Sequence, residues 1–434
     1  MLAGAACAAL AAALLDEPTH AEQAPASVSE PADLASILVP DPPKPDALRE
    51  IVLPAEDRQE VLQRLSRAQR WMDDPDPKGL RDQDPAVRHA MIADLHYDAA
   101  WMCHVVGEPR LAADHFTRAR AAWAQAQPVL DPDNQESMPP ALAALQALLD
   151  GQDIDAHGLN PGQACIAWLR LCEYRMLAGD DPGAWDALQK GADAIPAHRQ
   201  YRIDQARHNP EAHRWRADEW GWSVFGLIWN GCACGDPGRA AKMLQAVELP
   251  SFVHPYAQAR LAAYYAGIGQ PDYARERLDA CVRYLEKEPH TWARPDDALR
   301  AATRMGDRDR ATTLLARFRE NLWKPAEMAD FYAAQAQALG QRGQTGRAKA
   351  AANLALGMLA QKVSDPDYAP LSVNRSLRTL GRDLAAGGLS EHADTLAPAL
   401  VEPWAKASLQ VGLSDGLIRR AYPEYVPIRQ PLGD

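Results

Sequence analysis

Three arginines, Arg375, Arg378 and Arg382, stand at i, i+3 and i+7, a spacing that lines side chains along one face of a helix. A guanidinium is a planar donor fork that keeps its charge at any physiological pH. Three of them converging therefore suit a carboxylate or a phosphate. The competing reading is the solvated face of an ordinary helix. A second constellation is aromatic. Trp222, Phe225 and Trp229 sit three and four apart, and Trp215 and Trp220 precede them. Such a stripe can anchor a peptide or stack on sugar rings; equally, it can pack against a neighbouring helix.

Other reactive residue types do not assemble into a site. Seven cysteines fall to six if a leader is removed, and an even number permits disulfides in an exported protein. Cys103, Cys165, Cys172 and Cys281 lie on apolar helical faces and read as small core residues. Cys232 and Cys234 flank Ala233, with His208 and His213 nearby in sequence, but no second ligand pair has zinc-like spacing. His89, His96 and Cys103 recur at seven-residue steps, which helix packing explains without a ligand. Asp218 and Glu219 beside Trp220 resemble a glycosidase cleft, yet adjacent carboxylates on one helix point in different directions and make a poor acid–base pair. Nucleophile elbow, phosphate loop, H-E-x-x-H and dinucleotide fingerprint are all absent from the sequence. No catalytic residue, metal site or cofactor is assigned, and the chain reads as non-catalytic.

The elements that would carry these residues are helices. Alanine-rich helical periodicity dominates, alternating strand patterns are scarce, and 47% apolar content is enough for a core. The expected fold class is all-α. A net charge of −12 argues against non-specific nucleic-acid binding and against a polybasic membrane surface. Residues 1–15, MLAGAACAALAAALL, are too short to span a bilayer comfortably and resemble the apolar region of a secretory signal, without the usual basic residue before it. Export to the periplasm or cell envelope is the expectation, and a cytoplasmic location follows if this segment is a plain helix. Residues 16–53 read as a Pro/Ala-rich linker, with an apolar patch at 34–40, and residues 421–434 as an extended tail. Heavy use of Ala, Arg, Asp and Pro is what a GC-rich bacterial genome produces.

Between them, residues 54–420 form the folded body. A first helix is expected over 54–72, capping the structure, followed by a polar connection over 73–84. Helices follow near 85–106, 110–126, 139–149, 163–178 and 183–194, with a loop at 151–162 and an insertion rich in Arg and His at 197–213. From Trp215 the helical pattern runs nearly continuously to Val401.

One signal recurs through this body: a glycine followed five residues later by an alanine. The pairs are Gly107 and Ala112, Gly179 and Ala184, Gly235 and Ala240, Gly269 and Ala274, Gly306 and Ala311, Gly343 and Ala348, and Gly388 and Ala393. The glycine ends one helix where a positive φ is wanted, and the alanine lets the returning helix approach. Four residues on come Phe116, Leu188, Leu244, Leu278, Leu315, Ala352 and Ala397, which fill the gap. The glycines from Gly235 to Gly343 are 34, 37 and 37 residues apart. This pattern resembles the tetratricopeptide repeat, a helix-turn-helix unit of about 34 residues. Ala112-x3-Phe116 matches its second half literally, and Pro196 stands where the family proline closes the unit. The first half is degenerate, with Leu380-Gly381 and Leu384 in its best copy and Leu261, Ala262 and Tyr265 in another.

The resemblance implies a right-handed superhelical solenoid spanning about 85–404. It also implies a concave groove lined by the first helix of each hairpin. Carried over by the glycine register, the groove positions fall on Tyr97, Trp101, His104, Met176, Trp222, Phe225, Trp229 and Tyr256, then on Arg300 and Arg304, and lastly on Arg375, Arg378 and Arg382 beside Asn374. Some members of that family hold a peptide C-terminus in a basic and asparagine clamp; the arginines here are only similar, since the lysines are missing. The expected function is a non-catalytic scaffold holding a peptide or protein segment, with no nucleic-acid partner. The alternative is an α/α-toroid enzyme or binding protein acting on carbohydrate.

Overall fold

The structure is a computed structural model that describes residues 53–72, 85–128, 138–208, 219–243, 253–287, 296–321, 325–363 and 370–420. The expected leader, linker, first connection and tail lie outside the described residues, as do Trp215, Asp218 and part of the expected insertion. Among the described residues every regular element is helical: α1 (Ala55–Met72), α2 (Pro85–Val105), α3 (Pro109–Ala126), α4 (Met138–Asp150), α5 (Pro161–Leu177), α6 (Asp181–His208), α7 (Gly221–Ala233), α8 (Pro237–Lys242), α9 (Val253–Gly267), α10 (Pro271–Lys287), α11 (Asp296–Met305), α12 (Arg308–Asn321), α13 (Pro325–Gln341), α14 (Thr345–Val363), α15 (Pro370–Ala386), α16 (Ser390–Leu396) and α17 (Pro403–Arg420), with a 3-10 turn at Ala397–Ala399.

The glycine–alanine signal has a geometric cause. All seven glycines adopt φ between 70° and 86°, where a β-carbon is strained. The amide after each glycine bonds back to the carbonyl five residues earlier, as Glu108 does to Cys103 and Leu389 to Leu384, both at 2.8 Å. That same residue's carbonyl then accepts the amide of the alanine and opens the next helix, as from Ala112 to Glu108 at 3.0 Å. One turn thus closes the outgoing helix and starts the returning one. The seven alanines are buried, as are Phe116, Leu188, Leu278 and Ala352 beyond four of them.

Seven helical hairpins result: α2/α3, α5/α6, α7/α8, α9/α10, α11/α12, α13/α14 and α15/α16. Within each, the two helices pack on one another, and first helices touch in sequence: α5 on α7, then α9, α11, α13 and α15. The series does not stop there. α15 packs along α17, α17 packs on α1 and α2, and α2 meets α4, α5 and α15. The first-helix contacts therefore return to where they began. Glycines permit the close approach of α15 and α17. A β-carbon at Gly412 would lie 2.1 Å from the Arg378 carbonyl oxygen, and one at Gly381, the glycine of the sequence's Leu-Gly pair, 2.5 Å from that of Leu409.

Two local expectations change. Pro196 closes no hairpin; α6 runs through it to His208. A proline inside a helix forfeits one hydrogen bond and bends the axis, but here the continuation carries His198 and Arg202 into buried positions beside α7. The described part of the insertion expected at 197–213, residues 197–208, is thus the second half of a long helix. The expected loop also ends early, because Asn160 caps α5. Its Oδ1 accepts the Gln163 amide at 2.9 Å while Gln163 Oε1 accepts the Asn160 amide at 3.1 Å.

Candidate functional site

The first-helix faces carry the residues singled out by sequence, and they divide into a charged junction and an aromatic cluster. At the junction, α2, α5, α15 and α17 meet. Arg378 on α15 donates to Asp94 at 2.8 Å and to Asp98, both on α2. Arg419 on α17 donates to Glu173 on α5 at 2.9 Å and to Asp415 one turn earlier. Its guanidinium lies 5.6 Å from the ring centre of Trp101, and Trp101 stacks on Tyr174 at 5.6 Å. Tyr97 is buried nearby and its hydroxyl accepts from Arg170 at 3.2 Å. Burial pushes the Tyr97 phenol well above its usual range, so it stays neutral.

The other expected arginines also have partners. Arg382 is buried with its Nε 3.6 Å from Asp383. Asp383, fully buried, accepts from Arg300 at 2.8 Å, and Arg300 also donates to Asp297 at 3.1 Å and Gln337 at 2.9 Å. Arg304 donates to Gln341 and to the Ala263 carbonyl. Asn374 is buried and accepts from Ser408 at 2.5 Å. Arg375 is exposed. The structure thus joins Arg382 and Arg300 through one carboxylate and gives Arg378 two carboxylates on another hairpin. The three arginines of α15 do not share one open anion position.

The aromatic cluster joins α7 to α9. Trp222 meets Tyr256 edge-on at 5.0 Å between ring centres, Phe225 meets Trp229 at 5.6 Å, and Phe225 meets Tyr256 at 5.9 Å. Phe225 and Trp229 are buried, and the Arg260 guanidinium sits 4.2 Å from the centre of the Trp229 ring. Trp222 and Tyr256 stay half-buried. The stripe therefore packs on a neighbouring helix along one edge and reaches solvent along the other. Of the remaining groove positions, Met176 is buried and His104 is half-buried, its ring held below the usual histidine range by burial.

Reactive groups elsewhere are disarmed. His198 Nδ1 lies 3.0 Å from Ser223 Oγ, the spacing of a nucleophile and its base. However, Arg202 Nε donates to His198 Nε2 at 3.3 Å, which uses the ring's lone pair and leaves the proton on Nδ1. His198 is then a donor to Ser223 and cannot take its proton. Glu219, half of the acidic pair noted in the sequence, is tied to Arg202 at 3.1 Å. The thiols of Cys103, Cys165 and Cys232 are pushed up to about 12, chiefly by burial. Among the described residues no group of three or more His, Cys, Asp or Glu side chains could hold a metal ion, and no helix is long and apolar enough to cross a membrane.

Sequence reasoning did not single out Asp94, Glu173, Arg260, Asp415 or Arg419. Its available signal was a charged residue inside an otherwise apolar helix, such as Arg260 in α9. Their partners lie on other hairpins, so no local spacing marks them. Comparison with protein families, with curated proteins and with solved structures finds no match for the chain.

Proposed function

We propose that the protein is a non-catalytic scaffold, a tetratricopeptide-like array of helical hairpins whose last hairpin packs on its first, that holds a protein or peptide segment on its first-helix face. The observation that carries this reading is the half-buried pair Trp222 and Tyr256, mounted on the buried Phe225 and Trp229. Rigid aromatic rings with one open edge are the usual anchors of a bound segment, because ordering them costs little entropy. The arginines contribute differently from a clamp. Arg300, Arg304 and Arg378 bond across hairpins, Arg382 pairs with the adjacent Asp383, and Arg375 is an exposed residue.

A displayed library of random peptides, selected on the immobilised full chain, tests this reading. Peptides that bind with at least tenfold lower affinity to Trp222→Ala/Tyr256→Ala than to the parent support it. No enrichment, or equal affinity for both, rejects it.

A second reading, an α/α-toroid acting on carbohydrate, draws support from the return of the first-helix contacts to α2. It also draws on Asp415, whose carboxyl is raised by burial with the charge of Asp98 adding to it. Against it, Arg419 and Arg378 hold these two carboxylates. Release of reducing sugar from mixed polysaccharides by the parent, lost in Asp415→Asn, would favour this second reading.

A further inference from the structure

Cys172 and Cys234 come from different hairpins, 62 residues apart in the chain, yet their sulfurs are 3.9 Å from each other. Cys172 lies on α5 and is fully buried; Cys234 lies in the turn after α7 and keeps 6% of its surface exposed. We propose that these two thiols are an oxidation site, forming a reversible disulfide that staples the second hairpin to the third.

The geometry favours this pair. A disulfide brings its sulfurs to about 2 Å, so the gap left to close is on the order of 2 Å, within the reach of side-chain rotation. The backbone around each cysteine is anchored. The Gly235 carbonyl accepts the Tyr264 hydroxyl of α9 at 2.9 Å, and Asp236 Oδ1 accepts the Arg239 amide at 2.8 Å to cap α8. On the other side, Glu173, next to Cys172, is held by Arg419 at 2.9 Å. Neither strand of the bridge needs to be recruited from elsewhere, because the fold already holds the sulfurs in contact.

The co-reactant is a low-molecular-weight disulfide such as oxidised glutathione. Cys234, the less buried thiol, loses its proton and attacks one sulfur of the co-reactant, releasing one thiolate and leaving a mixed disulfide. Cys172 then attacks Cys234 Sγ, the protein bridge forms, and a second thiolate leaves. The two protein protons end on the two released thiols, and the two electrons lost by the cysteines reduce the co-reactant. Burial raises the Cys172 thiol, so the second step, which needs its thiolate, is slow in the folded chain.

The test uses the full chain, reduced and then incubated with oxidised glutathione, unfolded in alkylating reagent, and mapped by peptide mass. The expected result is one cross-linked pair, Cys172–Cys234, with Cys7, Cys103, Cys165, Cys232 and Cys281 all outside any protein disulfide. The oxidised chain should melt about 5 °C above the reduced one, from the loop the bridge closes. In Cys234→Ala the two buffers should give the same Tm. Complete alkylation of Cys172 and Cys234 after oxidation, a bridge to any other cysteine, or equal Tm values for the oxidised and reduced parent would each overturn the proposal. Because the parent alone gives this comparison, it holds even if the variant folds poorly.

Discussion

Arg378 on α15 grips Asp94 of α2 at 2.8 Å across 284 residues of chain, and with its other Nη grips Asp98. This one guanidinium bonds the last hairpin to the first. Its side chain is 16% exposed, and those of Asp94 and Asp98 are 26% and 23% exposed. Removing it leaves two carboxylates facing each other in a poorly solvated seam. We expect Arg378→Ala to cost about 2–3 kcal/mol, below the roughly 3–5 kcal/mol of a fully buried pair. Arg378→Lys should recover less than half of that, since a single ammonium cannot serve two separate carboxylates as a planar fork does. Urea unfolding of the three proteins checks both statements, and a near-neutral Arg378→Ala would show that the junction is solvated.

Two helix-interior glycines, one at this seam and one away from it, face opposite demands. A β-carbon at Gly412 would sit 2.1 Å from the Arg378 carbonyl oxygen, where only a shift of helix α17 relieves the clash. Gly412→Ala should therefore lose about 1–3 kcal/mol, the range for overpacking. Gly357, in the interior of α14, has nothing within 4 Å of that position. Gly357→Ala should gain about 0.5–1 kcal/mol from helix propensity alone. Thermal melts of the two variants should move in opposite directions; a Gly412→Ala that melts no lower than the parent would contradict the close α15–α17 contact, and a Gly357→Ala that melts lower would contradict the open space at that position.

The Asn160 capping box gives a smaller, local expectation. Asn160 and Gln163 satisfy each other's amides at the start of α5. Asn160→Ala removes one of these bonds and should cost about 1 kcal/mol. Asn160→Asp keeps the acceptor and adds a charge at the helix N-terminus, so it should be close to neutral. Denaturant midpoints for the two substitutions distinguish a cap from a coincidental contact.

What was legible in the sequence follows from the range of the interactions. The hairpin turns were legible because each is a local device. Gly107, Gly179, Gly235, Gly269, Gly306, Gly343 and Gly388 need a positive φ, and the alanine five residues on needs to be small. Both requirements act on residue type at a fixed spacing. Pro196 was misleading because its placement after a helical pattern is the usual stop signal, while tertiary contacts through His198 and Arg202 hold α6 together past it. The arginines of α15 read as a helical face and do lie on one helix. Their partners, Asp94, Asp98 and Asp383, were invisible, since nothing in a sequence states that residue 378 meets residue 94. The aromatic stripe was legible as a stripe, but which of its edges stays open depends on where α9 crosses α7.

His198 supplies a pH dependence whose sign is fixed by its burial. His198 is 2% exposed, and burial first, then the charge of Arg202, lowers its pKa to about 3. In the unfolded chain a histidine titrates near pH 6.5. Above that pH both states are neutral and the folded state bears no penalty. As the pH falls below 6.5, the unfolded chain takes up a proton that the folded chain refuses, so stability is lost progressively toward pH 3. Between pH 8 and pH 5 the loss from this one group is about 2 kcal/mol. His198→Gln carries no titrating ring. It should be less stable than the parent at pH 8, where the bond to Ser223 is disturbed, yet lose about 2 kcal/mol less between pH 8 and pH 5. The remaining histidines titrate in both proteins and cancel from the difference. Urea midpoints of parent and variant at pH 8, 6.5 and 5 measure it. Equal losses in the two proteins would mean that His198 is protonated in the folded state, and that Arg202 does not occupy its Nε2 lone pair.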